Sequence, residues 1–140
     1  MLEKSNSSMR GQKLFTRPID GSDTDGIRRF LRTQTAGEAV PACGLLGKLV
    51  GELVAVAGMS ITPDAIEIDA LVVARELRRK RIGRLMLDEI EKIAAKMDRK
   101  RLVVNDAAGA EEFFRRTGFE REGPRWIRQV RSEGAAPASR

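Results

Sequence analysis

Val73-Ala74-Arg75-Glu76-Leu77-Arg78-Arg79-Lys80-Arg81-Ile82-Gly83-Arg84-Leu85 follows an apolar run, Ile66 to Val73, and opens a long amphipathic segment. A β-branched strand, a basic turn and a helix start stand in that order. The N-terminus of a helix leaves backbone N–H groups unpaired and carries a partial positive charge, so a phosphate placed there is bound without any special side chain. Arg78, Arg79, Lys80, Arg81 and Arg84 surround that point. The ligand these residues call for is a polyphosphate.

Downstream, Ile82, Leu85, Met86, Ile90, Ile93, Ala94 and Met97 keep the spacing of one buried helix face, and Asp88, Glu91, Lys92 and Lys96 are expected to point to water. Asp98 to Arg101 is a basic connection, and Leu102-Val103-Val104 reads as a short strand. Strand–helix–strand of this kind implies a parallel pair with a right-handed crossover. Ala110 to Thr117 is predicted to be a short helix carrying Phe113 and Phe114, stopped by Gly118, and two strands, Phe119 to Arg121 and Trp126 to Val130, end the ordered chain.

Upstream of the loop, Ala65 to Val73 is a strand, preceded by a turn at Thr62-Pro63-Asp64. The run Leu49 to Ile61 is apolar on both faces and fits a strand covered on both sides. Gly47-Lys48, between Leu45-Leu46 and Leu49, is the expected tight hairpin. Three consecutive antiparallel strands therefore lead into the loop. Thr35 to Pro41 shows no readable element. Before it, Lys13 to Arg17 is a short strand stopped by Pro18, Asp20-Gly21-Ser22-Asp23 gives a turn and a helix cap, and Ile27, Phe30 and Leu31 mark a helix ending near Thr33. Residues 13–130 form the expected single domain, between a disordered leader, 1–12, and a flexible tail, 131–140.

Composition narrows the chemistry. The 140 residues include no histidine, which removes the commonest metal ligand and general base together with the nucleophilic triads that need it. One cysteine, Cys43, excludes an internal disulfide and any cysteine-only metal site, and its simplest reading is a small buried apolar residue. No metal is expected. The leader lacks an apolar signal region and no run approaches membrane-spanning length, so a cytoplasmic protein without a membrane partner is expected. The net charge of +6 is unevenly placed: residues 1–70 hold eight Lys/Arg against nine Asp/Glu, residues 71–140 eighteen against eleven. The excess lies in the half that contains the phosphate loop. With five Phe, one Trp and no Tyr, a base-stacking platform is poorly provided for, and nucleic acid is the disfavoured partner.

The loop resembles the cofactor-binding motif of the Gcn5-related N-acetyltransferase (GNAT) family, Gln/Arg-x-x-Gly-x-Gly/Ala, here Arg78-x-x-Arg81-x-Gly83. The first glycine is replaced by Arg81, which at an ordinary negative φ still offers its N–H. Phe113-Phe114-Arg115-Arg116-Thr117-Gly118-Phe119 is similar to the family's second landmark, Phe-Tyr-x-x-x-Gly-Phe, and the order of elements agrees from Leu14 to Val130. The resemblance implies an α/β (α+β) fold, a mixed, mostly antiparallel sheet with a central splayed parallel strand pair and flanking helices. It also implies acetyl-coenzyme A as co-substrate, an amine acceptor and a homodimer.

By the same resemblance the diphosphate falls to Arg78, Arg79, Lys80, Arg81, Ile82, Gly83 and Arg84, and the pantetheine to Leu71, Val72 and Val73, with the Val73 N–H polarising the thioester carbonyl. Histone-type members carry a glutamate on this strand eleven residues before the motif, the position of Glu67, which makes it the first candidate base. Asp69, on the same strand face, is the second, and both also read as plain edge carboxylates. A lysine-like amine of pKa about 10.4 is free in only roughly one molecule in a thousand at neutral pH, so a base is useful. The family's tyrosine acid is replaced by Phe114, leaving water or the amine's own proton for the thiolate, and its pantetheine-contacting asparagine by Ala107, with Asn105 as a substitute. Three readings stand: an N-acetyltransferase, an acyl-coenzyme A-binding module without turnover, and a basic nucleic-acid-binding domain.

Overall fold

The computed structural model describes residues 7–9, 12–35, 39–78, 81–107 and 109–131. They form two compact units, Met1–Met59 with Ala70–Leu87 and Ser60–Asp69 with Asp88–Arg140. The first unit holds β1 (Ser7–Met9), β2 (Gln12–Pro18), α1 (Thr24–Gln34), β3 (Gly44–Leu49), most of β4 (Glu52–Ile61) and the end of β5 (Ala65–Val73). The strand order there is β1-β2-β3-β4-β5. Both β1/β2 and β2/β3 are antiparallel, with Leu14 opposite Leu49 and Pro18 opposite Leu45. Helix α1 forms where the sequence places Ile27, Phe30 and Leu31 on one stripe, and all three are buried. Each such side chain withdrawn from water contributes about 1.5–3 kcal/mol.

The entry to α1 is fixed by charge. Asp20 caps a 3-10 turn, Gly21–Asp23, in a reciprocal capping box with Asp23. Asp23 Oδ1 accepts from Arg17 Nη2 at 2.6 Å. That guanidinium, then the Asp20 N–H, hold the Asp23 carboxyl down at about 2.

In the second unit the order is β5-β6-β8-β7, with β6 (Arg101–Val104), β7 (Glu120–Glu122) and β8 (Arg125–Gln129). Its helices are α3 (Glu111–Arg116) and the latter part of α2 (Ile82–Lys96), which begins in the first unit. β5 and β6 are parallel, Ala65 opposite Arg101 and Glu67 opposite Val103, as the strand–helix–strand order implies. The registered pairs end at Glu67, while β5 continues to Val73 and β6 stops at Val104. The β6/β8 and β7/β8 pairs are antiparallel. The fold is thus a mixed α/β one, mostly antiparallel, with one parallel pair and flanking helices, as expected.

Four sequence expectations are corrected. β3 continues through Gly47-Lys48, with a register shift against β4 between the two residues, and the hairpin is Val50-Gly51, closed by Leu49 opposite Glu52. A two-residue hairpin of type I′ needs positive φ at both turn residues, which Val50 at +48° and Gly51 at +81° supply, whereas Gly47 is taken up in the core, where an added Cβ would meet Met86 Sδ at 3.0 Å. Ser7–Met9, placed in the leader, is a strand because its backbone pairs with Gln12–Leu14; residues 1–6 and 132–140 lie outside the described set. Cys43 is exposed, in the bend that precedes β3 rather than in the strand itself. Glu91, expected in water, is 8% exposed, and Leu87 joins the buried face of α2 while Leu85, Ile93 and Met97 are only half-buried. The reason lies on β8: Arg128 Nη2 and Nε donate to Glu91 Oε1 at 2.6 and 3.0 Å, so its charge is met inside the protein.

Candidate functional site

Leu71, Val72 and Val73 are half-buried at the end of β5. Ala74 is buried, and its N–H donates to Val54 O at 2.8 Å. The chain then makes a 3-10 turn, Arg75–Leu77, and leaves it extended at exposed Arg78. Arg79 and Lys80 lie outside the described residues. Exposed Arg81 stands immediately before α2, whose first helical bond is Leu85 N–H to Arg81 O at 3.0 Å. The N–H groups of Ile82, Gly83 and Arg84 precede that bond. Ile82 is 1% exposed, so an apolar anchor fixes the helix start while Arg78 and Arg81 face water.

Arg81 corrects an expectation. Its φ is +68°, in the left-handed region, and not the negative value assumed for a side-chain-bearing residue. The position keeps the backbone conformation that a glycine takes without cost, at a strain of about 1–2 kcal/mol for an L-residue.

The remaining predicted residues belong to the second unit. Glu67 is half-buried, and Asn105 Nδ2 donates to its Oε1 at 3.3 Å. The register explains the meeting: Glu67 is opposite Val103, and Asn105 follows two residues later, just past the end of β6. Asp69 is exposed and accepts from Ser60 Oγ at 2.6 Å. Phe114 is 6% exposed, in edge-to-face contact with Phe113 and Phe119 at ring separations of 5.1 and 5.2 Å. It presents packing where a tyrosine would present a hydroxyl. Ala107 is also buried.

The predicted residues therefore separate into a loop-and-strand group in the first unit, Leu71 to Val73 and Arg78 to Arg84, and a carboxylate group in the second. Glu67 and Asn105 are brought into contact; Glu67 and Asp69 have different partners. Two participants were missed. Ser60 carries no pattern that marks it, and Arg75, within the basic stretch, makes contacts with α1 that no local spacing reveals. Among the described residues no group of three or more His, Cys, Asp or Glu is arranged to hold a metal, and no helix is long and apolar enough to cross a membrane.

The strand, the basic loop and the start of α2 all lie within a stretch that matches known proteins. Residues 12–119 match the model of the Acetyltransferase (GNAT) family, and the chain belongs to that family. Solved structures agree in fold. A GNAT-family protein from Desulfovibrio desulfuricans has a TM-score of 0.71 at 14% identity, covering 84% of this chain and 99% of its own. A GNAT family N-acetyltransferase from Escherichia coli in complex with CoA has a TM-score of 0.67 at 15% identity, covering 92% of this chain and 86% of its own. The ribosomal-protein-S18-alanine N-acetyltransferase from Escherichia coli has a TM-score of 0.70 at 12% identity, covering 89% and 97%. No curated protein matches in sequence.

Proposed function

We propose that the chain is an N-acetyltransferase that moves the acetyl group of acetyl-CoA to a primary amine by direct attack on the thioester. The observation that carries the proposal is the loop: Arg81 holds the glycine-like φ of +68° directly ahead of α2, inside the stretch that matches the family. A turn kept in that conformation despite its strain is best explained by N–H groups directed at an anion. In this reading the diphosphate is bound by the N–H groups of Ile82, Gly83 and Arg84 and the charges of Arg78, Arg79, Lys80 and Arg81. The donor set fits an anion of that kind. The half-buried end of β5, Leu71 to Val73, would pair with the pantetheine amides as a further strand.

In the transfer itself the amine nitrogen bonds to the thioester carbon, the carbon–sulfur bond breaks, and the thiolate leaves. The Val73 N–H would face the carbonyl oxygen as negative charge develops; one such donor is worth about 3 kcal/mol of barrier. Glu67, oriented by Asn105, takes the proton released by the amine, with Asp69 as the second candidate. Because position 114 is phenylalanine and the chain has no tyrosine, the proton that reaches the thiolate comes from water or from the amine. A thiol of pKa about 8.5 is a tolerable leaving group without an acid.

The test is calorimetric titration with acetyl-CoA, desulfo-CoA and ADP, followed by acetyl-CoA consumption with polyamines, aminoglycosides, amino acids and basic peptides. Tight binding of the first two and weak binding of ADP are expected, with turnover on one amine class that Glu67→Gln lowers about 10²-fold. Saturable binding without turnover on any amine would leave an acyl-CoA-binding module.

A further inference from the structure

The 3-10 turn Arg75–Leu77 that opens the loop is tied to a residue far away in sequence. The Arg75 N–H donates to Gln34 Oε1 at 2.8 Å. Its guanidinium reaches the end of the same helix, Nη2 donating to Thr33 O at 3.1 Å and to Gln34 O at 3.4 Å. Gln34 is the last residue of α1, and its side chain is the acceptor that meets the loop's backbone. The last carbonyls of a helix lack partners within it and carry partial negative charge, so a cation satisfies them well. The neighbouring residue is held too, since Ala74 N–H donates to Val54 O. Beyond Arg75 the turn closes on itself, Leu77 N–H to Ala74 O and Arg78 N–H to Arg75 O.

We infer that Gln34 and Arg75 form a clasp that positions the phosphate loop, and that Gln34 is a positioning residue for acetyl-CoA binding; the inference rests on the reading of the site given above. The physical need is plain. From Arg75 to Arg84 the chain carries six Lys/Arg in ten residues, and like charges at that density favour a spread, many-membered ensemble. A loop left to sample that ensemble would be ordered only as ligand binds, at a cost to affinity. Anchoring its first turn by backbone and side chain together moves that cost into folding. Gln34 is uncharged, and the atom it turns to the loop is Oε1, an acceptor taken by the Arg75 N–H.

The experiment compares wild type, Gln34→Met and Gln34→Glu by acetyl-CoA calorimetry and thermal melting. Methionine keeps the length and helix preference of glutamine and removes the acceptor oxygen. Glutamate keeps that oxygen for the Arg75 N–H and adds a negative charge. We expect Gln34→Met to bind acetyl-CoA five- to tenfold more weakly with a Tm within a few degrees of wild type, and Gln34→Glu to bind within twofold of wild type. If Gln34→Met is poorly folded, Gln34→Ala replaces it with the same expectation. Gln34→Met binding as tightly as wild type overturns the clasp alone. Gln34→Glu binding as weakly as Gln34→Met also overturns it, because a glutamine that touched the phosphates directly would behave that way. Wild type that fails to bind acetyl-CoA overturns the reading of the site, and the clasp with it.

Discussion

Arg81 and Arg128 show two opposite uses of the same side chain. Arg81 is exposed, in a left-handed turn ahead of a helix start where an anion is favoured. Arg128 keeps 13% of its side chain in water and directs its donors inward, to Glu91, to Asp88 Oδ1 at 3.0 Å and to Thr117 O at 2.9 Å. Both count equally in the net charge of +6. The difference teaches that an excess of arginine locates a binding site only after the arginines whose donors are satisfied inside the protein have been set aside.

The largest effect should follow from breaking the inward case. Arg128→Met leaves Glu91 buried with, among the described residues, the Arg131 N–H, at 2.9 Å, and the more distant Arg131 guanidinium, at 3.8 Å. Removing one partner of a buried pair costs about 3–5 kcal/mol. Denaturant unfolding should register a loss near the lower figure, since neither side chain is wholly buried. A loss below about 1 kcal/mol would put Arg128 with the surface ion pairs and dissolve the contrast.

The outward case is broken by bulk and not by charge. Gly83→Trp should fill the space in front of the α2 start and weaken acetyl-CoA binding by about 100-fold, or roughly 2.7 kcal/mol, with little change in Tm. Unchanged affinity in that variant would mean that the loop has been placed wrongly.

How much of this was legible in the sequence follows from the range of each interaction. The strand Ala65–Val73, the helix from Ile82 and the parallel strand at Leu102 were readable because periodicity and β-branching act within a few residues. Gly47-Lys48 misled because glycine followed by a polar residue is a turn signal locally, and only the register of β2 and β4 shows that it is strand. Glu91 misled for a like reason. Its place on the helix wheel says water, and Arg128, 37 residues away, supplies the partner that keeps it inside. The proposed loop came from the family resemblance, and the left-handed φ of Arg81 was not legible, because residue type alone argues for a negative one.

Strain offers a finer comparison. Val50 and Arg81 both hold positive φ, at +48° and +68°, one in a hairpin turn and one in the proposed phosphate loop. Val50→Asn should raise stability by about 1 kcal/mol and leave acetyl-CoA binding alone, since asparagine tolerates this conformation and a β-branched residue does not. Arg81→Gly relieves a similar strain but adds chain entropy to the unfolded state, so its gain should be smaller, about 0.5 kcal/mol, and accompanied by weaker acetyl-CoA binding through the lost charge. If the two variants affect binding alike, the strain at Arg81 is only that of a turn.

Arg17 supplies the intermediate case, an arginine one third exposed whose partner Asp23 keeps 11% of its side chain in water. Asp23 is held well below its ordinary value, to about 2, first by the Arg17 guanidinium and then by the Asp20 N–H. A carboxyl whose folded-state pKa is depressed stabilises the fold fully above its unfolded value, about 3.9, and loses that contribution as pH falls through its folded value. Unfolding followed from pH 5 to pH 2 should therefore show stability declining as the pH drops. Asp23→Asn, which keeps an acceptor for the Asp20 N–H and Arg17, should be less stable at pH 5 and show a shallower decline. Parallel curves for the two proteins would mean that Arg17 lends Asp23 no more than an ordinary surface partner does, and that the inward use of arginine is confined to Arg128.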